Sequence, residues 1–380
     1  MRDPAAGNRR GAEALSCRNN QDDRLPQRMR TDGARRSDAI AIARVICILG
    51  VVYVHAWTGV DSQALALLRG SAQDNLRWAL MEAFGRSAVP LLGLISGWLV
   101  QGSSRTRDWP AHVARKARTI LLPMLLWNGL AILLVSGAAL MLGLAAPVPP
   151  SLWWTLDEMF IVTRNPDINV QMPFLHDLFL CMVAAPLMVR LPGWMLGLVA
   201  IAAAAAHVAG LGPPVLMRAS ILFFFALGMM ARRGGWDGAV AALSPAAAVG
   251  PFILLMLAQL YGASLLGGDG AWAPRLLDLT LRVAAALAFW RLAWALAGSG
   301  ARDALLRIEP FAFFLFCAHL ILIWLGGPLL GHMFGRMGAP LYPLYLLLQP
   351  VLVLLIVVAL GLGLRRVSPG AATLLSGGRL

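Results

Sequence analysis

The sequence is poor in charge. Asp, Glu, Lys and Arg make up 13% of its 380 residues, about half of what a soluble domain carries. Acids are scarcer than bases, 19 against 32. This excludes an ordinary soluble enzyme and a disordered protein. Cysteine is scarce as well: Cys17, Cys47, Cys181 and Cys317 form no CxxC pair, which argues against a disulfide framework or a thiolate zinc site. There is no HExxH, no Asp-rich cluster, no P-loop and no GxGxxG, so neither a metal nor a tightly bound cofactor is expected. Internal repeats and the inverted symmetry of many transporters are also missing.

What fills the chain is apolar residues, 59% of the total. They gather into ten runs, at 39–59, 78–100, 119–142, 173–190, 194–211, 215–231, 245–266, 276–297, 308–327 and 341–364. Each is long enough, or nearly so, to cross about 30 Å of hydrocarbon as a helix. The expected fold is an all-α polytopic membrane protein of about ten transmembrane helices. Residues 1–36 hold nine Arg and five acids and read as a disordered basic cytoplasmic tail rather than a signal peptide. Residues 37–366 form the membrane domain, and 367–380 a second cytoplasmic tail. With the N-terminus inside and ten crossings, cytoplasmic segments carry 22 Lys and Arg and outer segments five. That bias favours an N-in, C-in topology. The net charge of +13 is thereby explained without nucleic acid. The longest outer segment, 143–172, is either an interfacial stretch anchored by Trp153 and Trp154 or a lid over a site.

Ionisable residues inside spans are costly and mark functional candidates. Arg44 and His55 in the first run are eleven steps apart, which puts them within about 20° on one helix face and about 16 Å apart along the axis. A cation near the inner surface can hold a phosphate-bearing donor. An imidazole near the outer surface can act as a general base on a hydroxyl. Alternatively, Arg44 snorkels and His55 caps a helix end. Glu82 and Arg86 are spaced to face each other. The following VPLLGLISGWLV, with Ser96 and Gly97, suits either a helix interruption or small-residue packing. Arg115 and Arg118, one turn apart, suit phosphates or simple positive-inside bias, and His112 reads as a solvated loop residue. His176 and Asp177 are neighbours and are expected to point apart. Arg218, Asp278, Arg282, Arg291 and Glu309 are expected to pair across the bundle, and His207 to be interfacial. His319 falls at a depth similar to that of His55.

Several segments together resemble the acyltransferase-3 family of integral membrane O-acyltransferases, in a stand-alone membrane form. These are Arg44 to His55, matching an Arg-x10-His motif; GRSAVPLLGLISGWL at 85–99; the basic run Arg115–Arg118 leading to Pro123; PFLHDLFLCMVAAPLM at 173–188; and FAFFLFCAHL ending at His319. Leu92-Gly93 stands where the family has Phe-Phe, and Pro173-Phe174 where it has Trp-Phe. The resemblance implies transfer of an acyl group, usually acetyl, from cytoplasmic acyl-CoA to a hydroxyl of a periplasmic, cell-surface or lipid-linked glycan. The setting would be the bacterial inner membrane. His55 and Arg44 would be catalytic, and Arg115, Arg118, Ser96 and Gly97 would bind the donor. Glu82, Arg86, His319 and His176 would support them. The competing expectation is a multi-pass transporter or flippase.

Overall fold

A computed structural model describes residues 24–211, 216–262 and 271–380, with the side chains of 24–32 and Ser87 left aside. The expectation of a tail over residues 1–23 lies outside the described residues. Each of the ten apolar runs coincides with a helix. Seven are long and apolar enough to cross a membrane: α1 (Arg24–Val54), whose apolar span is Gly33–Val54, α2 (Ala72–Gln101), α3 (Trp109–Leu142), α8 (Pro245–Gly262), α9 (Trp272–Leu296), α10 (Arg302–Phe334) and α11 (Tyr342–Val367). The other three are α5 (Pro173–Met188), α6 (Gly193–Ala209) and α7 (Ala219–Gly234), of 16 or 17 residues. Their length is about 25 Å, slightly short of the hydrocarbon thickness. A short helix, α4 (Leu152–Phe160), lies between α3 and α5, and α12 (Pro369–Ser376) follows α11. No strand occurs among the described residues.

The centre is built from α1 and α10. Of their most apolar stretches, 56% is buried inside the protein, against 11% for α8. Three contacts tie the pair together. Arg302 donates to Asp38 at 2.7 Å, Arg44 donates to Glu309 at 3.1 Å, and the rings of His55 and His319 lie 5.4 Å apart. The partners are offset by 264, 265 and 264 residues, so the two helices run parallel and in register. Seven of the ten helices at the apolar runs lie between them in the chain, an odd number, which fits a parallel pair. Around this pair α2 packs on α1 and α7, α9 on α1 and α2, and α11 on α10.

The α2–α7 crossing is close because it is made by Gly97 and Gly228. A Cβ on Gly97 would strike the Phe225 carbonyl oxygen, and one on Gly228 the Leu94 carbonyl. Small residues at a crossing let backbones approach within van der Waals contact. Of the two alternatives for VPLLGLISGWLV, small-residue packing is the one found, and the irregularity in α2 lies upstream. That segment is regular α-helix despite Pro90, whereas Ala79–Arg86 is π-helical. Pi-bulges carry an extra residue per turn and recur at functional sites; this one presents Glu82 and Arg86.

Helix covers part of each region read as a tail. Residues 24–36 belong to α1. Residues 369–376 form α12, which packs on α3, α10 and α11. Ala372 and Ser376 on it are fully buried. Trp127 donates its indole N–H to the Leu375 carbonyl at 2.9 Å. A helix this short is unstable alone, and burial against the bundle supplies the missing stabilisation.

Residues 143–172 form a folded cap. Asp157 and Glu158 on α4 are buried. Asp157 accepts from the Val162 and Thr163 backbone N–H groups and from the Thr163 hydroxyl at 2.7–3.0 Å. Glu158 accepts from the Asp167 and Ile168 N–H groups at 2.8 and 2.7 Å. Arg164 adds ion pairs to Asp157 and Asp167 at 3.3 and 2.9 Å. Desolvation pushes the Asp157 carboxyl up, but the Thr163 and Val162 hydrogen bonds and the Arg164 charge outweigh it, and its pKa lies below the usual value. Glu158 goes the other way, raised by burial against two backbone hydrogen bonds. Trp153 is exposed, as an interfacial anchor would be, while Trp154 donates to Asp167 at 2.8 Å.

Candidate functional site

Helix α1 ends at Val54, so His55 sits in the turn just beyond it. Its backbone N–H still bonds the Val52 carbonyl at 3.3 Å. Arg44 stays inside the helix. The two residues open onto different cavities. Arg44 lines one of about 430 Å³, and His55 lines one of about 740 Å³. Sharing a helix face does not put Arg44 and His55 in one chamber. The two cavities share two lining residues, Phe174 of α5 and Phe316 of α10. These rings lie 5.8 Å apart and form the common wall.

The Arg44 cavity is strongly basic. Arg105, Arg115, Lys116 and Arg379 line it beside Arg44, against a single acid, Glu309, which Arg44 already engages. His112, expected in solvent, is 1% exposed and lies 3.3 Å from an Arg115 nitrogen. Ser96 also lines the cavity, with its hydroxyl donating to the Leu92 carbonyl at 2.7 Å. Arg118 is exposed on the far side of its turn and lines neither cavity, and Gly97 is taken up by the α7 crossing. Such a chamber favours an anion, because uncompensated guanidinium groups in a partly desolvated space are stabilised by a phosphate or carboxylate.

The His55 cavity is lined by Arg86, Arg218, Arg275 and Arg282, with Asp278 as its acid. Arg282 donates to Asp278 at 2.7 Å, and Arg86 to Glu82 at 2.7 Å, as the spacing in α2 predicted. Expected pairing across the bundle holds for Glu309 with Arg44, whereas Arg282 pairs with Asp278 along α9, and Asp278 also meets His207 of α6. Arg291 instead donates to the Leu243 carbonyl at 2.8 Å. His207, expected at an interface, lines the cavity 3.6 Å from Asp278.

His319 is fully buried behind His55. Its Nδ1 lies 2.8 Å from the Phe316 carbonyl and 3.1 Å from that of Leu315. Carbonyls only accept, so Nδ1 carries the proton and Nε2 holds a free lone pair. That Nε2 has no partner among the described residues. His55, half-buried, is the ring that reaches the cavity.

His176 and Asp177 do not point apart: His176 Nδ1 and Asp177 Oδ1 are 3.0 Å from each other. Asp177, fully buried, also accepts from the Met217 and Arg218 backbone N–H groups at 2.9 and 2.7 Å. It thus anchors the start of α7 and fixes where Arg218 enters the His55 cavity. His176 lines neither cavity.

Two residues of these chambers carried no signal in the sequence. Gln171 lines the His55 cavity, is 4% exposed, and has neither amide atom hydrogen-bonded among the described residues. Leaving such a group unpaired costs about 1–3 kcal/mol, so its amide is poised for a ligand. Arg379 comes from the segment read as a tail.

The described helices thus hold a basic chamber and an imidazole chamber that meet at one aromatic wall. The chain belongs to the acyltransferase-3 family: the family's acyltransferase domain matches residues 37–364. It is also 28% identical over 361 residues to the succinoglycan biosynthesis protein ExoH of Rhizobium meliloti (strain 1021), covering 91% of this chain and 93% of that protein. No solved structure matches. The protein is thus a multi-pass membrane O-acyltransferase.

Proposed function

We propose that the protein moves an acyl group, acetyl in the family's usual chemistry, from cytoplasmic acyl-CoA to a hydroxyl of a periplasmic, cell-surface or lipid-linked glycan. The observation that carries this reading is the pair of cavities meeting at Phe174 and Phe316, one basic and one presenting His55. The excess of basic residues at the Arg44 end supports a cytoplasmic donor. The relative's printed role in succinoglycan biosynthesis supports a glycan acceptor.

In this reading the donor's phosphates lie among Arg44, Arg115 and neighbouring cations, and its thioester is directed past Ser96 to the aromatic wall. The acceptor hydroxyl enters the other chamber. His55 takes the hydroxyl proton as the oxygen attacks the thioester carbonyl carbon. A C–O bond forms, the C–S bond breaks, and the imidazolium returns its proton to the departing thiolate. Arg86 and Glu82 fix one side of the acceptor chamber. His319 backs His55, and His176 holds Asp177 and through it Arg218.

Mass spectrometry of surface and periplasmic glycans from strains with and without the gene tests this reading. Loss of one acyl mass per modified unit, restored by the wild-type gene and not by His55→Ala, is the expected result. Glycans unchanged by deletion would overturn it.

A further inference from the structure

We propose that residues 369–380 are a working part of the donor site, and that Arg379 binds a phosphate group of the donor. The inference rests on reading the Arg44 cavity as the place where a nucleotide-type acyl donor sits.

The segment is built to return the chain to the bundle. Ser368 caps α12 by accepting from the Ala371 N–H, and α12 ends at Gly377. Gly377 and Gly378 have φ of +61° and +81°, the left-handed region that glycine enters without steric cost. Two such residues in succession reverse the chain. The Ser376 hydroxyl then accepts from the backbone N–H groups of Arg379 and Leu380 at 3.0 and 2.9 Å.

The result is a fixed guanidinium. Arg379 lies over the Phe313 ring, 4.0 Å from its centroid, and Nη1 donates to the Ser376 carbonyl at 3.0 Å. Nη1 also reaches the Thr119 carbonyl at 3.5 Å, and no ion pair of Arg379 occurs among the described residues. The side chain is nevertheless a wall of the same cavity as Arg44, Arg115 and Lys116. A surface cation that merely obeys charge bias extends into water on a free side chain. This one is turned inward, stacked on an aromatic face and left with nitrogens to donate. Guanidinium held that way matches the geometry of a phosphate dianion. Arg379 lies beyond residues 37–364, the part matched by the family.

The test uses the purified full-length protein in nanodiscs and three probes: coenzyme A, 3′-dephospho-coenzyme A and pantetheine. Wild-type protein should bind coenzyme A, and Arg379→Ala should weaken that binding by about ten- to a hundredfold. Pantetheine, which has no phosphate, should bind both proteins equally, and Arg379→Lys should lose less than Arg379→Ala. The dephosphorylated probe locates the partner. If the effect of Arg379→Ala vanishes with it, the 3′-phosphate is the partner; if the effect persists, the diphosphate is. Unchanged coenzyme A binding by Arg379→Ala, or an equal loss for pantetheine, would overturn the inference while leaving the donor reading intact. Failure of wild-type protein to bind coenzyme A would overturn both. Hydrogen exchange of residues 369–380 in the wild-type protein checks the same point without a variant: coenzyme A should slow it, and no change would count against the proposal.

Discussion

The imidazole of His319 stands directly behind that of His55, with centroids 5.4 Å apart and planes inclined by 37°. Only the front ring meets the cavity, and the rear ring is oriented by the Phe316 and Leu315 carbonyls. In the proposed reaction His55 therefore does the proton transfer and His319 positions it. His55→Ala should lower acyl transfer by about 10²–10⁴-fold, the usual range for a general base. His319→Leu should lower it less and alter its pH profile. Acylated-glycan assays on protein inserted at wild-type levels check both, and a fully active His55→Ala would refute the assignment.

Arg44→Ala should raise the donor KM by about tenfold with a smaller effect on kcat, since a cation that holds donor phosphate acts mainly on binding. Its ion pair with Glu309 is 38% and 27% exposed. A pair so open to solvent contributes about 1 kcal/mol or less, so stability should change little. Steady-state kinetics alongside thermal unfolding separate the two effects.

Gln171→Leu should uncouple stability from activity. Removing an amide with no partner relieves a desolvation cost, so the melting temperature should hold or rise. Transfer to acceptor should fall by about tenfold if the amide contacts the acceptor. A fall in both would instead mark a packing role.

Gly97→Ala should reduce the yield of folded protein without a specific change in donor affinity. The new methyl meets the Phe225 carbonyl oxygen on α7, and overpacking of this kind costs about 1–3 kcal/mol. Folded yield in detergent, compared with donor affinity of the surviving fraction, is the measurement.

The cap over residues 143–172 should loosen in acid. Asp157 has a folded pKa below its unfolded value. Its contribution is therefore complete above the unfolded pKa of about 4 and is lost as pH falls through the lower folded one. Glu158, with a raised pKa, favours the protonated form and so weakens the cap as pH rises through its own value. Hydrogen exchange of the Val162 and Thr163 amides across this range reports the first effect, and Asp157→Asn should abolish it.

Local pattern carried much of this architecture. Each apolar run is a helix because hydropathy and length are properties of contiguous residues, and Glu82 meets Arg86 because four residues make about one turn. The shared depth of His55 and His319 was likewise legible from helical rise. Other features were hidden for physical reasons. Arg44 finds Glu309 across 265 residues, which no periodicity encodes. His176 and Asp177 meet although they are neighbours in the chain, because side-chain rotamers are not set by backbone spacing alone. Gln171 is notable only because nothing satisfies it, a condition visible only once its surroundings exist. Arg379 sits in a short polar-looking end segment whose two glycines signal a turn but not its direction.

Phe174 and Phe316 have a significance beyond the chemistry on either side. In the proposed reaction, with donor and acceptor arriving from opposite sides, what stands between the two is the pair of benzyl groups shared by the chambers. Whatever crosses there must displace them, and whatever displaces them for long would short-circuit the ion gradients on which the cell runs. Selection on those two positions would then answer to electrical leakage as much as to turnover.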